Sequence, residues 1–164
     1  LHPDDNAALS AVLAREKRAK VLALDGWTAL KSLLPPRERR GLVLVDPPFE
    51  ESGELDRLTK GLADAHRRFA TGVYILWFPI KDPRPIARLQ HAVLALGMPK
   101  LLFVDLMIRP ARDPDRLNGT GLLIANPPYG LSDQLRQLAP ELARRLAQED
   151  GARSTVTWLA GGES

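Results

Sequence analysis

Gly41-Leu42-Val43-Leu44-Val45-Asp46-Pro47-Pro48-Phe49-Glu50 joins a strongly strand-like run to a stiff turn that carries a carboxylate. Leu42 to Val45 is a short, continuous apolar run, the pattern of a strand buried on both faces of a parallel sheet. It predicts a central strand with Asp46 at the carboxyl end, the edge at which ligands bind in open α/β sheets. Pro47 and Pro48 fix φ and remove two backbone donors, so the chain leaves the strand extended, with carbonyls free to accept hydrogen bonds. Phe49 adds a flat apolar face. Together these groups suit a planar base with an exocyclic amine. A carboxylate and a proline carbonyl accept both amine hydrogens while the ring stacks, a contact worth roughly 1–3 kcal/mol. The amine lone pair is then left pointing towards an electrophile. The plain alternative is a rigid Asp-Pro-Pro turn with no chemistry.

Asp46-Pro47-Pro48-Phe49 resembles the Asp-Pro-Pro-(Tyr/Phe) motif of S-adenosylmethionine-dependent amino-methyltransferases that act on nucleic acids. The flanks extend the likeness: Ala23-Leu24-Asp25-Gly26, Leu33-Leu34-Pro35-Pro36-Arg37-Glu38-Arg39-Arg40 and Arg67-Arg68-Phe69-Ala70-Thr71-Gly72-Val73-Tyr74. With them the chain resembles the RlmJ family, from Leu1-His2-Pro3 to Thr155-Val156-Thr157-Trp158. The resemblance implies transfer of a methyl group from S-adenosyl-L-methionine to an adenine N6 of 23S ribosomal RNA, naked or partly assembled. It implies Asp46, Pro47, Pro48 and Phe49 as the catalytic group, and Asp25, Gly26 and Asp46 as cofactor contacts. Some relatives carry a label for the use of external DNA. The alternatives are therefore a DNA amino-methyltransferase or a non-catalytic nucleic-acid-binding protein linked to such use.

One departure from the family stands out. No Gly-rich strand-to-helix turn of the kind that cradles the cofactor's methionine end is present, and Gly41, Gly53, Gly61 and Gly72 do not form one. The family's ribose-binding acidic residue is expected just before Leu1. Residues 1–164 are thus expected to be a partial methyltransferase domain, lacking its first strand, with an exposed sheet edge and weak cofactor binding on its own.

Composition sets wider bounds. A chain of 164 residues, 45% hydrophobic and 26% charged, has the balance of one globular domain. The absence of cysteine excludes disulfides and thiolate metal sites and fits a reducing compartment, the cytoplasm. No apolar run approaches the ~20 residues of a membrane helix. A net charge of +3 is too small to indicate a nucleic-acid partner without a clustered distribution. His2, His66 and His91 are not spaced to share a metal on one helical face. No metal is expected.

In chain order, strands and helices alternate. Leu1-His2-Pro3 reads as the end of a strand. Asp4, Asp5 and Asn6 then cap a helix striped by Leu9, Val12 and Leu13, whose dipole the basic run Arg15 to Lys20 complements. Val21 to Leu24 reads as a strand closed by Asp25-Gly26, which would set Asp25 beside Asp46; the alternative for Asp25 is a helix N-cap. Trp27 to Leu34 forms a short helix stopped by Pro35-Pro36. Leu55, Leu58, Leu62, Ala65 and Phe69 recur at helical spacing, and Val73 to Phe78 is a buried strand. Pro85 opens a helix with Ile86, Leu89, Val93 and Leu96, and Gly97 stops it. Strands at Leu101 to Ile108 and Gly121 to Ala125 flank a polar loop, Ser132 caps a helix from Asp133 to Gln148, and Ser154 to Leu159 is the last strand.

The expected fold is α/β: a doubly wound, mostly parallel, Rossmann-like methyltransferase sheet with an antiparallel edge, incomplete at its amino-terminal side. Asn126-Pro127-Pro128-Tyr129 repeats the shape of the central turn. In the class that the chain resembles, the catalytic strand follows the cofactor-adenine strand after one helix, which gives the chemistry to Asp46 and leaves Asn126 to Tyr129 as a rigid turn, with a role in substrate binding as the alternative. Arg37, Arg39 and Arg40 precede the central strand, away from the site, and read as solvating a loop; Arg109, Arg112 and Arg116 are candidates for phosphate contact.

Overall fold

The spacing that begins at Leu55 builds α3 (Glu54–Arg68), and Leu58, Leu62 and Ala65 on its inner face are buried to 1% exposure or less. They pack on β2 (Val73–Ile80), whose Tyr74, Leu76, Phe78 and Ile80 point to the same side while Val73, Ile75 and Trp77 point to the other. The alternation along β2 follows from the pleat, with one face buried and the other partly covered. The computed structural model describes residues 3–162. The remaining elements are α1 (Pro3–Leu13), α2 (Gly26–Ser32), β1 (Leu42–Val45), α4 (Pro83–Leu94), β3 (Leu101–Met107), β4 (Gly119–Ala125), α5 (Leu131–Leu146) and β5 (Arg153–Ala160).

The five strands lie in the order β1-β2-β4-β3-β5. β1 and β2 are parallel; β4 is antiparallel to both β2 and β3, and β5 is antiparallel to β3. β1, β2 and β3 therefore share one direction, and the antiparallel part is wider than an edge pair, since β4 inserts between β2 and β3 and β5 adds a further strand. Helices cover both faces. α2, α3 and α4 close the larger core, and α5 lays Leu131 and Leu135 on Leu102, Val104 and Ile124 opposite.

Three sequence expectations are corrected. Among the described residues β1 is the outermost strand, not a central one: Leu42 and Leu44 are 59% and 63% exposed, because β2 is its single neighbour there and no described helix covers that side. Val21 to Leu24 forms no strand, having no partner to complete its backbone hydrogen bonds. Ser132 lies buried inside α5, whose N-cap is Gly130 at φ 78°. At the amino terminus Pro3 already belongs to α1, while Leu1 and His2 lie outside the described residues. The basic run falls beyond α1, where Arg18 instead pairs with Glu16 at 2.8 Å.

Tyr74 ties α3 to the sheet. Its buried hydroxyl lies 2.7 Å from the Phe69 carbonyl and 3.0 Å from that of Ala65, which also accepts the Phe69 N–H that closes α3. Burial pushes the phenol up to about 12. The unfolded chain ionises near ~10. Stability from this group is therefore intact below that value and is lost as pH rises towards the folded one. Tyr74→Phe is expected to cost about 1–2 kcal/mol in urea unfolding and to remove this alkaline step. A persisting step would point to another group.

Candidate active site

The strand directions define two ends of the sheet. β1, β2 and β3 leave at one end through Asp46, Lys81 and the loop after Met107, where β4 and β5 begin. Asp46 stands exposed at that end. Among the described residues nothing hydrogen-bonds to its carboxylate or to the Pro47 and Pro48 carbonyls. Phe49 follows at φ 55°, a left-handed conformation that costs a bulky residue about 1–3 kcal/mol and that clusters at functional turns. Its ring meets Trp77 edge-on at 5.8 Å. No sequence spacing singles out Trp77 as a partner for Phe49. Gly53, at φ 86°, then turns the chain into α3.

Asp25 lies elsewhere than the tip of a strand. It caps α2 by accepting the Thr28 backbone N–H at 2.8 Å, and that bond holds its carboxyl below the ordinary aspartate range. Gly26 is the first residue of α2. Among the described residues no hydrogen bond joins Asp25 to Asp46. Asp25→Ala is expected to lower stability by about 1 kcal/mol, with Asp25→Asn near wild type. Because the folded-state pKa is depressed, the difference should be full near neutrality and vanish as acid protonates the cap.

The loop between β3 and β4 also stands at the Asp46 end. Buried Asn118 pins it, its Nδ2 donating at 2.7 Å to both the Lys81 and Asp113 carbonyls. Arg109 is buried against Glu149 at 3.8 Å and straps the loop to the turn before β5. It is therefore no phosphate ligand, in contrast to the sequence expectation. Arg116 shares Glu149, and Arg112 is exposed without a carboxylate partner. Asn126 sits at the opposite end, because β4 runs against β2. Its Nδ2 donates to the Ala70 and Gly72 carbonyls at 2.7 and 2.9 Å, a structural latch in keeping with the expected rigid turn.

A family model described as "Ribosomal RNA large subunit methyltransferase D, RlmJ" matches residues 1–160. The chain belongs to the RlmJ family. It is 36% identical over 159 residues to Ribosomal RNA large subunit methyltransferase J of Escherichia coli (strain K12), and 35% identical to the protein of that name from Haemophilus influenzae. Each match covers 97% of this chain and 57% of the relative, so the chain spans little more than half the length of these RlmJ proteins. The crystal structure of protein LPL1258 from Legionella pneumophila superposes with a TM-score of 0.85 at 26% identity, over 99% of this chain and 59% of that one. The α/β architecture is thus shared with a solved relative. No described helix is long and apolar enough to cross a membrane.

Proposed function

We propose that this chain carries the base-positioning half of an RlmJ-type enzyme that methylates adenine N6 in 23S ribosomal RNA with S-adenosyl-L-methionine. The observation that carries the reading is the open Asp46 carboxylate at a strand exit, followed by two free proline carbonyls and a strained aromatic. Asp46 and the Pro47 carbonyl accept the two amine hydrogens and turn the lone pair outward. Phe49 stacks on the extruded base, backed by Trp77. The methylated nitrogen sheds one proton, and Asp46, open to water, is placed to take it. The donor supplies an electrophilic methyl group, and positioning supplies most of the acceleration.

The residues present fit the donor only in part. Asp25 is exposed while it holds the Thr28 N–H, and with Gly26 adjacent it is the pair that the family likeness assigns to the donor's adenine side. Nothing here matches a cradle for the methionine end. The unpaired side of β1 and uncovered Leu42 and Leu44 are where further strands of a chain of the relatives' length would dock.

The test is labelled methyl transfer to naked ribosomal RNA and to duplex DNA, using a chain of that length. Transfer to the RNA, lost in Asp46→Ala, is expected. Transfer to DNA alone would move the substrate assignment, and transfer to neither would favour a binding protein without catalysis.

A further inference from the structure

The end of the sheet opposite Asp46 gathers cations from separate parts of the chain. The Gly41 carbonyl accepts from Val73 N–H, Asn126 holds the Ala70 and Gly72 carbonyls, and Asn126 N–H donates to Lys100. These bonds bring residues 37–41, 67–72, 98–101 and 126–131 to one rim. Within those segments stand Arg37, Arg39, Arg40, Arg67, Arg68 and Lys100 against one carboxylate, Glu38. All six cations are exposed. Arg67 pairs with Asp64, whereas the other five take no carboxylate partner among the described residues. At the Asp46 end Arg57, Arg84, Arg109 and Arg116 are engaged with Glu or Asp, and Arg112 is the exception.

An aromatic ring belongs to the same rim, three residues after Asn126, at the end of β4 that lies between β2 and β3. The Asn126 latch and two prolines hold Tyr129 at 90% exposure, where its ring covers no core. Unpaired cations beside a bare aromatic form the platform that single-stranded nucleic acid uses, with phosphates on the charges and a base on the ring. An acidic peptide would use the charges and leave the ring idle.

We propose that this rim, Tyr129 included, is a second RNA-docking surface that grips a single-stranded stretch of substrate remote from the methylated base. The eight residues of β2 separate it from the Asp46 end. At roughly 3.3 Å per residue that is about 26 Å, a distance a few nucleotides span. The inference rests on the proposed action on ribosomal RNA.

The experiment measures anisotropy of a labelled, unstructured 12-nucleotide RNA, with Asp46→Ala as the host so that binding is read apart from transfer. Replacing Arg39, Arg40, Arg68 and Lys100 by Ala should reduce the slope of log affinity against log salt by roughly 3. Tyr129→Ala should weaken binding about tenfold, with Tyr129→Phe close to wild type. Polyglutamate of equal charge should bind more weakly than the RNA and ignore Tyr129. An unchanged slope, an indifferent Tyr129→Ala or equal binding of polyglutamate would each overturn the inference. A protein that transfers no methyl yet shows these losses would uphold it, since only the reading of Asp46 would then fail.

Discussion

Asp46→Ala is expected to leave urea unfolding within about 0.5 kcal/mol of wild type and to lower methyl transfer by roughly a hundred- to a thousandfold. The two halves of that expectation share a cause. The carboxylate is exposed and takes no partner among the described residues, so its removal breaks nothing that holds the fold. The same openness leaves it free to orient an amine, and its loss removes charge stabilisation and alignment together. Asp46→Asn retains one acceptor of the same shape but offers an N–H where an acceptor is wanted, and should recover little. The decisive reading is kcat with RNA binding unchanged. A variant that keeps more than about a tenth of the rate would remove Asp46 from the chemistry.

The largest effect on stability is expected at Phe78. Its ring is fully buried, lies 5.9 Å from that of Phe103, and faces Gly121 across the β2–β4 ladder. Phe78→Ala should cost about 3–5 kcal/mol, a large share of the ~5–15 kcal/mol that a domain possesses. Gly121 explains the pairing, since a Cβ there would fall 2.2 Å from Phe78 Cε2. Gly121→Ala alone should therefore destabilise by about 1–3 kcal/mol. Placed in Phe78→Ala, the same methyl enters vacated space, so the two costs should miss additivity by at least ~1 kcal/mol. Additive urea midpoints would show that the ring does not occupy the glycine's place.

Helices with a long apolar stripe were legible because period and burial coincide. Leu58, Leu62 and Ala65 reach the core as their spacing demands, as do Ile86, Leu89 and Val93. Strand positions were legible too, with strand partners less so. Leu42 to Val45 reads as a central strand because its composition records full covering, yet β2 is the one neighbour that these residues supply. Val21 to Leu24 has strand-like residues and no ladder to join, so Asp25 shows its capping role instead. At the candidate site, the exit of β1 at an exposed Asp46 was legible from the apolar run and the two prolines. Trp77 was not, because its approach to Phe49 depends on the β1–β2 register, which no local pattern encodes. The burial of Arg109 was hidden likewise, because it depends on where residue 149 returns.

The reversed course of β4 bears on how such sequences are compared. A text search for Asx-Pro-Pro-aromatic finds two hits in this chain, 80 residues apart and alike in spelling. One sits where its strand points with β1, and the other where β4 points back. Heading tells them apart where spelling cannot, so a comparison of such turns has to weigh strand polarity as well as letters.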